Sequence, residues 1–207
     1  MNTGKQSACF VCRKAGKMNN IFDKLELFRD NLELAQFMLK IITGKDDLVL
    51  TSQGNQHAMN KLFGAHLCLD VSGTDSAGKH YRLQIFKAEP RNSLQIARCC
   101  SSMIDAEFLC ENPSEMPITY TIFVMGNDHF GAEKPLYQIE RVNTMTGKPF
   151  DDGKHILYVN GAYDNADDHS DIAKLIHDFR CRDADDMYFD VMADALRYIN
   201  SQTMQLS

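Results

Sequence analysis

The chain has 207 residues, of which 44% are hydrophobic and 24% are charged, and its 22 basic and 28 acidic side chains give a formal net charge of −6. This composition fits one globular domain with a sizeable core and excludes a disordered, collagen-like or low-complexity chain. No run approaches the roughly 18 to 20 apolar residues that cross a bilayer. We therefore expect a soluble, cytoplasmic protein without a membrane partner.

The seven cysteines indicate a reducing compartment. Their number is odd, their spacing is irregular, and a chain of this size needs no disulfides for stability. Cys9 and Cys12 have half of a zinc-ribbon spacing, but no second Cys-x-x-Cys follows and the nearest histidine is His57. We interpret this pair as reduced thiols in a basic, flexible leader over residues 1–19, with a metal role as the alternative. A single domain is predicted over residues 20–207.

The first predicted element is an amphipathic helix. From Ile21 to Ile42, apolar residues recur at intervals of three and four. Asn19 or Asn20 is a candidate cap for its start, and Gly44 follows its end.

A β-hairpin is the next clear prediction. Its strands are predicted over Ala65–Ser72 and His80–Lys87, and a turn-rich segment, Gly73–Gly78, joins them. A shorter strand, Leu48–Gln53, precedes the hairpin.

The rest of the chain alternates between helical and strand patterns. The predicted elements are a helix over Ser93–Leu109, strands over Ile118–Met125, Leu136–Val142 and His155–Val159, and helices over Asp171–Phe179 and Asp186–Ile199. Without a repeat or a clear linker, the pattern predicts one α/β domain with a helical C-terminal end. His177-Asp178-Phe179, near a predicted helix end, is interpreted as capping and packing.

The acidity is concentrated in one segment. Between Asp151 and Asp190 there are 11 aspartates against four basic residues, a local balance of 4 − 11 = −7. The rest of the chain is about neutral, so the sequence lacks the basic surplus that is typical of proteins binding phosphate backbones. The acidic segment is either a solvated surface or a surface for a protein partner.

Strand alternation groups the candidate site residues. Side chains two apart in a half-buried strand share a face, so His66, Cys68 and Asp70 line one side of the first hairpin strand. The facing set on the second strand is His80, Arg82, Gln84 and Phe86. An aspartate after an apolar run, beside a strand with alternating polar residues, is typical of a magnesium site, because Mg²⁺ prefers carboxylate and water ligands.

Several short segments, in one order and spacing, carry a resemblance to a known family. They are Phe28-Arg29-Asp30-Asn31-Leu32-Glu33, Leu69-Asp70, Ala97-Arg98-Cys99-Cys100-Ser101-Ser102-Met103-Ile104-Asp105-Ala106, Tyr137-Gln138-Ile139-Glu140-Arg141, Phe150-Asp151-Asp152-Gly153, Tyr158-Val159-Asn160-Gly161-Ala162-Tyr163, His177-Asp178-Phe179-Arg180-Cys181 and Asp185-Asp186-Met187-Tyr188. From about Asn20 to Asn200, the chain resembles the PD-(D/E)XK nuclease-fold transposases, also known as recombination-promoting nucleases.

The resemblance implies a fold and a set of site residues. The fold would be a restriction-endonuclease-like mixed β-sheet flanked by α-helices, with catalytic groups on the central hairpin and the first helix. Asp70 matches the metal-binding aspartate of the family. Glu33, or alternatively Asp30, matches the further acidic group on the first helix. The implied cofactor is Mg²⁺ if the protein is active and none otherwise.

The chain departs from the family on the second hairpin strand. Where the family has Glu-x-Gln or Glu-x-Lys, this chain has Gln84-Ile85-Phe86. A neutral amide replaces a charged ligand, and Phe86 offers no polar atom, so metal affinity and water activation should both fall. Alternation points Lys87 to the other face unless a bulge intervenes. Arg98, on the following helix, is the remaining candidate for a basic group at the site.

Two functions follow from the resemblance and the departure. The preferred hypothesis is a catalytically impaired member of the family, from a phage or mobile element, that binds DNA or binds a protein through the acidic C-terminal surface. Inhibition of a host defence nuclease would be one such role. The alternative is an active Mg²⁺-dependent DNA endonuclease that promotes recombination or transposition. The two hypotheses differ in whether the protein is an enzyme.

Overall fold

The computed structural model describes residues 31–53, 66–87, 93–111 and 116–205. The cysteine pair Cys9 and Cys12, the predicted leader and residues 21–30 of the first predicted helix lie outside these ranges. Within them, no helix combines the length and the apolar character needed to cross a bilayer.

The first described helix, α1 (Leu32–Thr43), begins later than the sequence pattern predicts. Asn31 has an extended backbone, and its side chain accepts a hydrogen bond from the Leu34 amide at 3.0 Å. A residue in that conformation is an N-cap, so the prediction of one continuous helix from Ile21 is wrong at this point. The predicted end is confirmed, because Gly44 adopts φ of 66°, a left-handed conformation that glycine tolerates best.

The described strands form one six-stranded mixed sheet. They are β1 (Val49–Gln53), β2 (His66–Thr74), β3 (His80–Lys87), β4 (Ile118–Met125), β5 (Leu136–Ile139) and β6 (Lys154–Asn160). The order across the sheet is β1-β2-β3-β4-β6-β5, with β4 parallel to both β3 and β6 and the remaining pairs antiparallel. The β2–β3 hairpin therefore lies inside the sheet, with neighbours on both sides.

Helices cover both faces of the sheet. They are α2 (Ser93–Glu111), α3 (Asp171–Arg180) and α4 (Asp190–Gln205), with a short 3₁₀ turn at Ala184–Asp186 before α4. One face packs against α1 and α3 through a large apolar core that includes Met38, Leu83 and Phe179. The other face packs against α2 through a smaller cluster around Phe123. The predicted α/β class, with a mixed sheet flanked by helices and a helical C-terminal end, is confirmed.

The predicted boundaries differ from the observed ones mainly near the C-terminus. The predicted strand Leu136–Val142 ends at Ile139, and Val142 instead forms an isolated bridge with Pro149. The predicted helix Asp186–Ile199 is divided, because Asp186 ends the 3₁₀ turn and α4 begins only at Asp190.

Candidate functional site

Asp70 and Gln84 lie directly opposite each other at the centre of the hairpin. They are Cα partners in the antiparallel ladder between β2 and β3. The neighbours of Asp70 in the strand, Leu69 and Val71, pack into the core under α1. Because side chains alternate along a strand, Asp70 points to the opposite face, which α2 covers. Both polar side chains are buried, with 1% of Asp70 and 2% of Gln84 exposed.

Arg82 supplies the cation that faces Asp70. Its Nη2 atom donates to Oδ2 of Asp70 at 2.6 Å, and its Nη1 atom donates to Oγ of Ser72 at 3.2 Å. The other carboxylate oxygen lies 3.5 Å from Nε2 of Gln84. The guanidinium therefore compensates the buried carboxylate charge from within the sheet, as a buried ion requires.

Further polar residues share this face of the sheet, and together with the pair they form what we call the polar layer. Its members are Asp70, Arg82, Gln84, Thr119 and Thr121. The two threonines are buried on β4, opposite Arg82 and Gln84 in the β3–β4 register. Two buried atoms of the layer, Nε of Arg82 and Oε1 of Gln84, have no hydrogen-bond partner. The layer thus keeps both an unused donor and an unused acceptor, which a water molecule or a polar ligand can satisfy.

The other residues that the resemblance selected lie away from Asp70. Phe86 is 1% exposed and packs against Phe123, with ring centroids 5.8 Å apart, in the apolar cluster under α2. Arg98 has an exposed side chain on α2. Glu33 is exposed in the first turn of α1, the helix that packs on the face opposite Asp70. The structure thus brings Asp70 and Gln84 together but leaves Glu33 on another side of the sheet.

Some predicted residues fall outside what the structure describes. Asp30 lies beyond the described ranges, and for His66, Cys68 and Lys87 only the backbone is described. A bulge does interrupt the hairpin, but it lies between Leu67 and Leu69 on the first strand.

Sequence reasoning missed Arg82 as the partner of Asp70. It placed Arg82 on the polar face of the strand but considered only Lys87 and Arg98 as basic groups for the site. In an antiparallel pair, diagonal neighbours lie about 7 to 8 Å apart, which a long side chain can span. Arg82, two residues before Gln84, occupies such a diagonal position, so this signal was present in the pattern.

A second group of chemically capable side chains lies at the end of α3. His177, Asp178 and Cys181 each offer one ligand atom, and these atoms all lie within 4.8 Å of one another. Within the described ranges, this is the only cluster of three or more histidine, cysteine or acidic side chains at such distances. The three residues could therefore hold a metal ion.

Asp178 also has a structural role. Its side chain is fully buried and accepts hydrogen bonds from the backbone amides of Tyr188 at 2.8 Å and Phe189 at 2.9 Å. These contacts connect the end of α3 to the start of α4. They agree with the capping and packing role predicted for this motif.

Most aspartates of the acidic segment are exposed, and some of them are paired with arginines. Eight of its 11 aspartates are exposed and Asp178 is buried. Arg180 donates to Asp164 at 2.9 Å, and this hydrogen bond lowers the pKa of the Asp164 carboxyl. Arg197 binds Asp185 and Asp194. Part of the acidic charge is therefore neutralised locally, while Asp167 and Asp186 remain exposed.

Comparison of the chain with protein-family models, curated proteins and solved structures finds no match.

Proposed function

We propose that this protein is a catalytically impaired relative of the PD-(D/E)XK nuclease-fold transposases, from a phage or mobile element, and that it acts by binding a partner. The observation that carries the proposal is the ion pair between Asp70 and Arg82. An arginine side chain stands beside the carboxylate to which a nuclease of this family would bind Mg²⁺.

Mg²⁺ would compete with Arg82 for the Asp70 carboxylate. Mg²⁺ retains its waters strongly and is usually held by one or two carboxylates. Here the guanidinium of Arg82 already compensates Asp70, and the facing residue, Gln84, contributes no charge. A divalent ion would have to displace a buried, hydrogen-bonded guanidinium, and Asp70 is the only carboxylate among the described residues of the layer. The polar layer therefore favours the state without Mg²⁺.

The partner is proposed to be a protein that contacts the acidic surface, and inhibition of a host defence nuclease is one such role. Exposed carboxylates at Asp167 and Asp186 would complement a basic surface that normally contacts phosphate groups. DNA is the less favoured partner, because the net charge of −6 opposes a phosphate backbone.

A cleavage assay tests the loss of activity. Wild-type protein and Asp70→Asn are incubated with plasmid DNA and either Mg²⁺ or Mn²⁺, because Asn keeps the shape of the residue and an acceptor for Arg82. We expect equal, background rates of cleavage. Metal-dependent cleavage by the wild type that Asp70→Asn abolishes would overturn the proposal and favour the alternative, an active endonuclease.

A binding assay tests the partner. Association with labelled duplex DNA is measured at increasing salt, since phosphate contacts make affinity fall steeply with salt concentration. We expect no measurable affinity for DNA near physiological salt. A host nuclease that the wild type inhibits should be inhibited less by Asp167→Asn/Asp186→Asn, whereas Lys148→Gln, on an exposed loop, is the matched control. Tight, salt-sensitive DNA binding would contradict the proposed partner.

A further inference from the structure

We propose that His177, Asp178 and Cys181 form a binding site for a zinc-class metal ion, separate from the polar layer. The donor set is one imidazole nitrogen, one carboxylate oxygen and one thiol sulfur. Imidazole and thiolate together select Zn²⁺ and related ions and disfavour Mg²⁺, which takes oxygen ligands. The site goes beyond the proposed function and does not depend on the state of Asp70.

The distances between the donor atoms suit a tetrahedral ion. Nδ1 of His177 lies 3.3 Å from Oδ1 of Asp178 and 3.3 Å from Sγ of Cys181. With metal–ligand bonds of about 2.0 to 2.3 Å, neighbouring ligands in a tetrahedral zinc site lie about 3.3 to 3.8 Å apart. The three donor atoms lie within 4.8 Å of one another, so one ion can reach all three after side-chain movement alone.

The surrounding structure orients the Asp178 carboxylate and fixes the backbone of Cys181. The Asp178 carboxylate is oriented by the amides of Tyr188 and Phe189, and hydrogen-bonded carboxylates of this kind support metal sites. Cys181 is the C-cap residue of α3, and its backbone amide donates to the carbonyl of His177 at 3.0 Å. A cation at this position also faces the negative end of the helix dipole.

His177 is the ligand that must move. Sγ of Cys181 lies 3.3 Å from Nδ1 and 3.8 Å from Nε2, so the sulfur lies over the imidazole face and out of line with the lone pair of either nitrogen. Rotation of the ring would direct one nitrogen toward an ion between the three side chains. The side chain of His177 is 45% exposed, which leaves room for that rotation. Three protein ligands leave a fourth position for water, the usual arrangement of an open zinc site.

The proposed ion would strengthen the end of α3. All three ligands lie on α3 or at its C-cap, and the Asp178 carboxylate also accepts the amides of Tyr188 and Phe189 before α4. Metal binding at the end of α3 would therefore stabilise the junction between α3 and α4. Because a metal that binds only the folded state raises its stability, Zn²⁺ should increase the melting temperature.

Cobalt titration of the purified full-length chain tests the site, because Co²⁺ is a coloured probe for tetrahedral zinc sites. The experiment uses a Cys9→Ser/Cys12→Ser background, which removes the one Cys-x-x-Cys pair in the sequence. We expect thiolate-to-cobalt charge-transfer absorption in this background, its displacement by Zn²⁺ and its persistence in excess Mg²⁺. Cys181→Ser and His177→Gln should weaken cobalt binding at least about tenfold, and Cys99→Ser, at a half-buried thiol on α2, should not.

The readouts separate metal binding from misfolding. Circular dichroism checks that Cys181→Ser and His177→Gln fold, and the increase in melting temperature with Zn²⁺ should disappear in both. The proposal is overturned if the Cys9→Ser/Cys12→Ser background gives no charge-transfer band. It is also overturned if that band survives Cys181→Ser, since the thiol would then come from elsewhere in the chain.

Discussion

The ion pair between Asp70 and Arg82 crosses the central hairpin diagonally, from β2 to a residue of β3 two places before the direct partner of Asp70. Only 2% of the Asp70 side chain and 13% of the Arg82 side chain are exposed, which makes it the most buried ion pair with a permanent cation among the described residues. A buried pair of this kind is costly to form, and breaking it from one side is costlier, because the remaining charge loses its partner.

Truncation of Arg82 should therefore destabilise the fold strongly. Arg82→Ala removes the guanidinium that donates to the buried Asp70 carboxylate, and we expect the free energy of unfolding to fall by about 3 kcal/mol. Urea denaturation measures the change. Arg197→Ala, which removes an exposed arginine that also binds two aspartates, is the control and should have a much smaller effect.

A double variant distinguishes lost charge compensation from lost packing. In Asp70→Asn/Arg82→Gln both charges are removed and hydrogen-bonding groups remain. We expect this protein to be more stable than Arg82→Ala. If the double variant is equally unstable, the ion pair is not the cause.

Substitutions that restore the family's charged residues on β3 should have different effects at Gln84 and at Phe86. Gln84→Glu places a second carboxylate beside Asp70, so like-charge repulsion should lower stability without metal, and added Mg²⁺ should recover part of the loss. Phe86→Lys buries an ammonium group against Phe123, and we expect a loss of about 3 kcal/mol or more that Mg²⁺ does not recover. Thermal unfolding with and without Mg²⁺ measures both. If Mg²⁺ does not change the stability of Gln84→Glu, then Arg82 compensates both carboxylates and the metal ion does not bind there.

Asp168 should contribute to acid sensitivity. Hydrogen bonds from the Tyr163 hydroxyl and then from Ser170 lower the pKa of this carboxyl to about 2. Because the folded pKa is below the unfolded value of about 4, its stabilisation is complete above that pH and is lost as the pH falls toward about 2. Asp168→Asn should therefore unfold at a lower temperature at pH 6 and show a smaller further loss between pH 4 and 2.

The matched control for Asp168 is Asp167→Asn, which changes an exposed carboxylate one residue away. Melting temperatures across this pH range measure both variants. An unchanged acid profile in Asp168→Asn would contradict the assignment to Tyr163 and Ser170.

The junction between α3 and α4 should depend on Asp178. Asp178→Asn replaces one of the two oxygens that accept the amides of Tyr188 and Phe189, and we expect a loss of about 2 kcal/mol. Hydrogen exchange at these two amides should accelerate more than exchange in the sheet. Asp194→Asn, at an exposed position of α4, is the control. Equal exchange in both variants would show that the amides are protected by packing alone.

The periodicity of the sequence predicts most elements and their buried faces, because burial of alternate residues or of every third and fourth residue leaves a local pattern. The hairpin, the pairing of Asp70 with Gln84 on one face and the end of α1 at Gly44 are all accessible in this way. The sequence predicts a helix start less well where a capping residue lies within a continuous apolar periodicity. Asn31 interrupts an apolar periodicity that continues across it, and only its backbone conformation reveals the new helix start.

The tertiary structure alone decided which side chains meet across elements. Whether Arg82 turns toward Asp70 or toward solvent depends on a side-chain conformation, which leaves no repeat in the sequence. The same holds for His177, Asp178 and Cys181, whose spacing suits a helix end but whose contact depends on where the chain turns before α4. Local pattern is set by neighbours along the chain, whereas the chemistry of these sites is set by packing between distant segments.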